Sequence, residues 1–259
     1  MRDALRMHWP EYLMEAAGLG FFMVSACLFA ALLEHPGSPV RQAFPDGVVR
    51  RVLGGLAMGA TAAGIIYSPW GQRSGAHLNP SVTLTFLRLG KLKPPDAAFY
   101  AAAQATGGVL GVILSALVLQ GALAHPAVNW AATVPGASGV PAAFVAEAAI
   151  SFGLMLTVLV VSSSPFARLT GVAAALLVAT WISVEAPYSG MSMNPARTVA
   201  SALPSGIWTS AWVYFLAPPL GMLLATEAFR ALTRGAARHC AKLDHPDGVR
   251  CIFCGASAA

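Results

Sequence analysis

The chain has 259 residues, of which 56% are hydrophobic and only 10% are charged, and its mean hydropathy is +0.64. A soluble domain carries about 25% charged residues, so this composition excludes a soluble globule, a disordered chain and a disulfide-rich secreted scaffold. The net charge of +5 does not indicate nucleic-acid binding, because no basic patch is interleaved with aromatic residues; in a membrane chain it indicates basic cytoplasmic loops.

Six charge-poor runs predict the membrane-spanning elements. The first ten residues, MRDALRMHWP, lack the apolar core and cleavage site of a signal peptide, so we expect the first apolar run to stay in the membrane. Each run is close to the ~20 residues that cross a hydrocarbon core as a helix. The runs cover residues 12–33, 48–67, 97–123, 142–161, 169–184 and 207–226. The sequence therefore predicts an all-α membrane protein with six transmembrane helices.

The distribution of Lys and Arg predicts the orientation of these spans. Arg41, Arg50 and Arg51 lie on one side, Arg197 lies in a segment described below, and the other basic residues lie on the side of the two termini. We therefore expect a multi-pass protein of the cell membrane with both termini in the cytoplasm.

Two short segments interrupt the pattern of spans, one between spans two and three and the other between spans five and six. They read SGAHLNPSVTLTFLRLG (residues 74–90) and SGMSMNPARTVASALPSG (residues 189–206). Asn at the N-cap with Pro at the first helical position is a strong helix start. The pattern predicts two half-helices that begin at Asn79-Pro80 and Asn194-Pro195; two amphipathic surface helices are the alternative.

Other landmarks recur in the two halves of the chain. Glu15-Ala-Ala opens span one and Glu147-Ala-Ala opens span four, and Gly107 of span three corresponds to Gly221 of span six. Because each copy has three spans, the second must enter the membrane inverted, as in many channels and transporters. The expected organisation is a cytoplasmic N-terminus (1–10), a first inverted repeat (11–123), a connecting loop (124–140), a second inverted repeat (141–230) and a cytoplasmic Cys/His tail (231–259).

Half-helices entering from opposite faces would meet near the midplane with their N-termini inward. Each N-terminus presents about half a positive charge, and the Asn79 and Asn194 amides would donate to the oxygen of a passing water. This arrangement repels cations and interrupts a proton-conducting file of water, a known principle of selective pores. The carbonyls expected to form an acceptor ladder are those of Gly75, Ala76, His77, Gly190, Met191 and Ser192.

SGAHLNPSVT and SGMSMNPART resemble the paired Asn-Pro-Ala boxes of the aquaporin, or major intrinsic protein, family, and the resemblance extends over roughly residues 11–230. It implies the aquaporin-like fold of six transmembrane helices and two re-entrant half-helices in two inverted repeats. It also implies a passive channel for water and small uncharged solutes, and a homotetramer. The box residues are Asn79, Pro80, Ser81, Asn194, Pro195 and Ala196, with Ser81 in place of the usual alanine.

The resemblance also implies a selectivity filter. Its expected members are Met58 in span two, Ile182 in span five, Met191 and Arg197. Gly59 replaces Met58 if the loop after span two has no extra residue, and a snorkelling interfacial charge is the alternative for Arg197. Water channels of the family usually have Phe in span two and His in span five, whereas glycerol channels have Trp and Gly. This chain matches neither set, so the solutes that accompany water stay open.

Glu15 and Glu147 are carboxylates inside the membrane, where such groups usually serve a function. The repeat and the family resemblance favour a structural role, in which they accept hydrogen bonds from the box loops; a proton relay is the alternative. The sequence contains no Ser/His/Asp set, phosphate-binding loop or paired carboxylates, so we do not expect an enzyme. An inverted-repeat secondary transporter is the alternative function.

The tail carries the pattern C-x4-H-x5-C-x2-C, formed by Cys240, His245, Cys251 and Cys254. Three thiolates and an imidazole suit a tetrahedral zinc site, and a reducing cytosol disfavours a disulfide. His239 is a competing ligand, and free or redox-active thiols are the alternative. We expect no cofactor for the channel itself; a metal-sensing membrane protein whose tail carries the function is a further alternative.

Overall fold

The computed structural model of the protein describes residues 1–233 and 240–256, which contain helices but no β-strand. The α-helices are α1 (Arg2–Glu34), α2 (Pro39–Ala43), α3 (Gly47–Tyr67), α4 (Pro69–Ser74), α5 (Pro80–Arg88), α6 (Pro94–Leu119), α7 (Gly121–Ala124), α8 (Gly139–Ser162), α9 (Thr170–Val184), α10 (Ala186–Ser189), α11 (Pro195–Ser205) and α12 (Trp212–Leu232). Short 3₁₀ turns lie at Asn129–Ala131 and Ala167–Leu169.

Within the described ranges, six helices are long and apolar enough to cross a membrane, which confirms the predicted number of spans. They are α1, α3, α6, α8, α9 with the preceding 3₁₀ turn, and α12. Large apolar side chains are exposed on their outer faces, among them Phe21, Leu117 and Val145. Extensive apolar exposure marks a surface that contacts lipid rather than water.

Two spans begin farthest from the starts that hydropathy predicts. Helix α1 begins at Arg2 rather than near residue 12. Hydropathy detects only the apolar part of a helix, whereas the backbone hydrogen bonds of α1 continue into the polar residues before it. Helix α12 begins at Trp212 rather than near residue 207. Gly206 ends α11 with φ 73° in the left-handed region that favours glycine, so a turn occupies the start of the predicted span.

Close packing of α1 on α6 and of α8 on α12 gives the two halves of the bundle the same design. A Cβ at Gly107 of α6 would collide with the carbonyl oxygen of Ala16 in α1, and a Cβ at Gly221 of α12 would collide with that of Ala148 in α8. Glycine therefore permits backbone contact at corresponding positions of both halves. Glu15 and Glu147, the neighbours of Ala16 and Ala148, therefore lie beside corresponding contacts in the two halves.

The half-helices α5 and α11 begin at Pro80 and Pro195, as the Asn-Pro pairs predict. The Asn79 side chain caps α5 by accepting from the N–H of Ser81 at 2.8 Å. The Asn194 side chain caps α11 by accepting from the N–H groups of Ala196 and Arg197. Each cap satisfies donors that the first turn of a helix leaves without partners, so both helices can start inside the bundle.

Candidate functional site

The two helix starts meet at the centre of the bundle. The Asn79 amide donates to the Met193 carbonyl at 2.7 Å, and the Asn194 amide donates to the Leu78 carbonyl at 2.8 Å. A side-chain amide has two N–H donors, so this exchange leaves each Asn one donor. Both side chains also line a cavity of about 400 Å³ whose walls are mainly apolar.

The loops that lead into the half-helices share one unusual backbone conformation. In the first loop Gly75, Ala76 and Leu78 have φ of 101°, 52° and 52°, and in the second Gly190, Met191 and Met193 have φ of 79°, 52° and 52°. Positive φ is uncommon for residues other than glycine and costs about 1–3 kcal/mol each, so surrounding contacts must hold it. Ala76, His77, Gly190, Met191 and Ser192 line the cavity.

Glu15 and Glu147 supply those contacts. The Glu15 carboxylate accepts from the Ser74 hydroxyl at 2.8 Å and from the N–H groups of His77 and Leu78 at 3.0 and 2.6 Å. The Glu147 carboxylate accepts from the Ser189 hydroxyl at 2.7 Å and from the N–H groups of Ser192 and Met193 at 2.6 and 2.7 Å. Both glutamates are fully buried. Each fixes the loop ahead of one half-helix.

Tyr100 and Tyr214 complete this support, and the sequence analysis did not find them. Their hydroxyls donate at 2.6 Å to the carbonyls of Ser74 and Ser189, respectively. A signal was present, because Tyr100 lies seven residues before Gly107 and Tyr214 lies seven before Gly221. Paired positions of the repeat thus identify second supports of the box loops.

The cavity brings the four expected filter residues together: Met58, Ile182, Met191 and Arg197 all line it. Gly59 instead faces α9, where a Cβ would collide with the Ala175 carbonyl, so of the two candidates in span two it is Met58 that lines the cavity. No acceptor in the described residues pairs with Nη1 of Arg197. This buried nitrogen is therefore a hydrogen-bond donor without a partner beside the cavity.

Other box residues pack around the helix starts. Ser81 is 1% exposed, and its hydroxyl has no hydrogen-bond partner among the described residues. Pro195 and Ala196 are buried, and Ala196 belongs to a cluster with Leu19 and Met23 of α1. The serine thus occupies the alanine position of the first box without a new bond.

An ion pair that the sequence did not predict lies at the end of the cavity away from the chain termini. Glu34 and Arg50 line this end, and Nη2 of Arg50 lies 3.1 Å from the Glu34 carboxylate. Arg50 also donates to the carbonyls of Phe44 and Pro45 at 3.1 and 2.6 Å. These contacts join the start of α3 to the end of α1, and hydropathy alone gives no indication of such a pair.

The tail occupies the opposite end of the cavity, the one on the side of the termini. The N–H of Leu243 donates to the Gly75 carbonyl at 3.1 Å, and Nε2 of His77 lies 2.6 Å from the Ala241 carbonyl oxygen. Leu243 is 6% exposed and lines the cavity. Of the expected carbonyl ladder, Gly75 therefore already has a partner from the tail.

The four tail residues of the Cys/His pattern lie together. One ligand atom from each of Cys240, His245, Cys251 and Cys254 falls within 4.8 Å of all the others. Sγ of Cys240 lies 3.2 Å from Sγ of Cys251, and Nε2 of His245 lies 3.3 Å from Sγ of Cys254. The Cys240 hydrogen bond holds the pKa of the Cys251 thiol below its usual value. The competing ligand His239 lies outside the described residues.

Comparison with known proteins agrees with this architecture. The chain is 36% identical to Aquaporin NIP3-1 from Zea mays over 182 residues, which cover 69% of this chain and 59% of that protein. It is 32% identical to Probable aquaporin TIP4-1 from Oryza sativa subsp. japonica over 216 residues, 82% of this chain and 81% of that protein. The chain therefore spans less than two thirds of the NIP relative's length.

The fold also matches the X-ray structure of the aquaglyceroporin from Plasmodium falciparum, with a TM-score of 0.71 and 20% identity over 87% of this chain and 97% of that one. The family model described as Major intrinsic protein matches residues 6–229, from the first turns of α1 to the last turn of α12. This match includes both half-helices and extends over all six spans. The chain therefore belongs to the major intrinsic protein family.

Proposed function

We propose that the protein is a passive channel for water and small uncharged solutes, and that it excludes protons and ions. The observation that carries this proposal is the meeting of Asn79 and Asn194 at the two half-helix starts. Each amide uses one donor on the opposite loop and keeps one for the cavity. Two donors that hold a water by its oxygen leave it unable to relay a proton along the file.

The positive ends of α5 and α11 support the exclusion of cations, because both helix N-termini face the same point. A secondary transporter is not favoured, since it would need a coupling carboxylate. Glu15 and Glu147 already accept from backbone N–H groups of the box loops. We assign these glutamates a structural role and propose that the chain is a channel and not an enzyme.

We propose that the side of the termini is cytoplasmic in the cell membrane, because basic residues accumulate on the cytoplasmic side of short loops. The organisation into inverted repeats at residues 11–123 and 141–230 is part of the same proposal. A homotetramer follows from membership of the family, and lipid is the partner of the exposed apolar faces.

Purified protein in liposomes, with a metal chelator on both sides of the membrane, should conduct water with a low activation energy and without a matching proton flux. Stopped-flow light scattering after an osmotic step measures the water flux, and a pH dye inside the vesicles measures the proton flux. Empty liposomes are the control. A protein-dependent proton leak that rises together with the water flux would contradict the proposed role of Asn79 and Asn194.

We further propose that the tail binds one zinc ion through Cys240, His245, Cys251 and Cys254. With Zn–S near 2.3 Å and Zn–N near 2.0 Å, ligand atoms of a tetrahedral site lie about 3.5–3.8 Å apart. The four ligand atoms here already lie within 4.8 Å of one another, so small side-chain movements complete the site. Burial of Cys240 and Cys251 and exposure of His245 and Cys254 give the ion a route of entry.

Protein purified without chelator or a metal-affinity tag should contain about one zinc per chain, and the Cys251→Ser/Cys254→Ser variant should lose it, because two of four ligands are gone. Elemental analysis by mass spectrometry measures the content. Cys27→Ser is the matched control, since Cys27 is buried in a different cluster, with Leu19 and Met23. Equal zinc in wild type and double variant would show that these thiols are not ligands.

A further inference from the structure

The tail meets the pore through its own backbone. The Leu243 N–H donates to the Gly75 carbonyl at 3.1 Å, and the Ala241 carbonyl oxygen lies 2.6 Å from Nε2 of His77. Gly75 and His77 belong to the polar path that leads to Asn79. The tail thus occupies Nε2 of His77 and one of the two acceptor sites of the Gly75 carbonyl. The Leu243 side chain, which lines the cavity, presents an apolar surface there.

Aromatic and apolar contacts seat the tail in this position. The Phe253 ring stacks on His77 at a centroid distance of 5.5 Å and 11° between planes, and it meets Tyr100 edge-on at 6.0 Å. Ala241 and Leu243 are buried in one cluster with Ala76 of the first box loop. The tail thus fills the mouth on the side of the termini rather than extending from it.

The metal ligands alternate with the residues that make these contacts. Cys240 directly precedes Ala241, and Cys251 lies two residues before Phe253. Residues 240–256 contain no helix or strand, and a segment without secondary structure or a core of its own depends on a crosslink or a metal to hold one conformation. A single ion bound at the cluster would fix both contact points at once.

A buried cation adds to this arrangement. Lys242 lies between Ala241 and Leu243, is fully buried, and donates to the Arg250 carbonyl at 2.8 Å. Three thiolates around one divalent ion would leave a net negative charge, which the ammonium of Lys242, two residues after Cys240, would offset. The Arg250 side chain in turn donates to the Met7 carbonyl at 2.8 Å, which ties the tail to α1.

We propose that the tail is a metal-controlled gate: zinc bound by Cys240, His245, Cys251 and Cys254 holds residues 240–254 in the mouth on the side of the termini and closes the channel, and loss of the metal opens it. This inference rests on the proposed channel and on the proposed zinc site. Zinc would have a regulatory role, because the tail conformation that brings the four ligands together also places Leu243 and Phe253 against the pore.

The test is stopped-flow water permeability of the full chain in liposomes, with a non-thiol reductant, and with either buffered zinc or a chelator on both sides of the membrane. Free zinc at about one hundred times its Kd shifts a closed-to-open equilibrium about a hundredfold. We expect water permeability to be about tenfold or more lower in zinc than in chelator. The Cys251→Ser/Cys254→Ser variant should conduct equally in both.

Phe253→Ala separates gating from metal binding, because it removes the stack on His77 and keeps all four ligands. It should retain about one zinc per chain and stay conductive in zinc. Wild type that contains zinc but conducts equally in zinc and chelator would overturn the gate and leave the zinc site standing. Absence of zinc overturns both. If no condition or variant gives water flux, both the channel and the gate are overturned. If closure requires an oxidant instead of zinc, the zinc gate is overturned and a disulfide closes the channel.

Discussion

Replacement of Glu147 by leucine should abolish water conduction and strongly destabilise the protein. The change leaves the Ser189 hydroxyl and the N–H groups of Ser192 and Met193 without the acceptor they now share. Each buried unsatisfied donor costs about 1–3 kcal/mol. The summed cost of the three donors therefore approaches the free energy of unfolding of a typical protein, roughly 5–15 kcal/mol. The Asn194 loop, which holds Met191 and Met193 at positive φ, would lose its fixed conformation.

The measurements are thermal unfolding of the purified protein and stopped-flow water permeability, in chelator, of liposomes with equal protein content. Glu147→Gln should destabilise the protein less, because the glutamine oxygen still accepts hydrogen bonds. Some loss remains, because the glutamine NH2 group would face an N–H donor of the loop. Glu227→Gln is the matched control: Glu227 is half exposed and pairs with Arg88 and Arg230, and such surface pairs contribute about 0–1 kcal/mol. A Glu147→Leu variant with the melting temperature and permeability of wild type would refute the structural role.

Replacement of Ile182 by histidine should raise the preference for water over glycerol by about tenfold or more, a typical effect of reshaping an apolar pocket by one group. Ile182 and Met58 present apolar side chains to the cavity that Arg197 also lines, and Nη1 of Arg197 has no partner in the described part of the chain. An apolar wall tolerates the carbon backbone of a solute whose hydroxyl bonds to Arg197. An imidazole adds a second polar contact for water and narrows the opening for carbon.

Parallel light-scattering assays in chelator, with an impermeant osmolyte and with glycerol, give the water and glycerol permeabilities, and their ratio is the result. Ile182→Leu is the matched control, since it preserves both volume and polarity and should leave the ratio unchanged. If wild-type vesicles pass only water and Ile182→His leaves the ratio as it was, then Ile182 does not belong to the filter.

The sequence by itself determined the features that depend on neighbouring residues. The number of spans follows from hydropathy, because transfer of a segment into lipid depends on its own composition. The starts of α5 and α11 follow from Asn79-Pro80 and Asn194-Pro195, because a helix cap is a contact within three residues. The inverted repeat follows from Glu15 and Glu147, because the same short pattern at corresponding positions of the two halves indicates that both halves have the same fold.

The tertiary structure alone decided the features that depend on rotation about a helix axis or on contacts between distant segments. Neighbouring residues on a helix point in directions about 100° apart, so only the packing of α3 on α9 shows that Met58 faces the cavity and Gly59 the next helix. The seat of Leu243 against Gly75 joins residues far apart in the chain. No local pattern encodes such a contact, because its free energy comes from surfaces that exist only once the bundle has assembled.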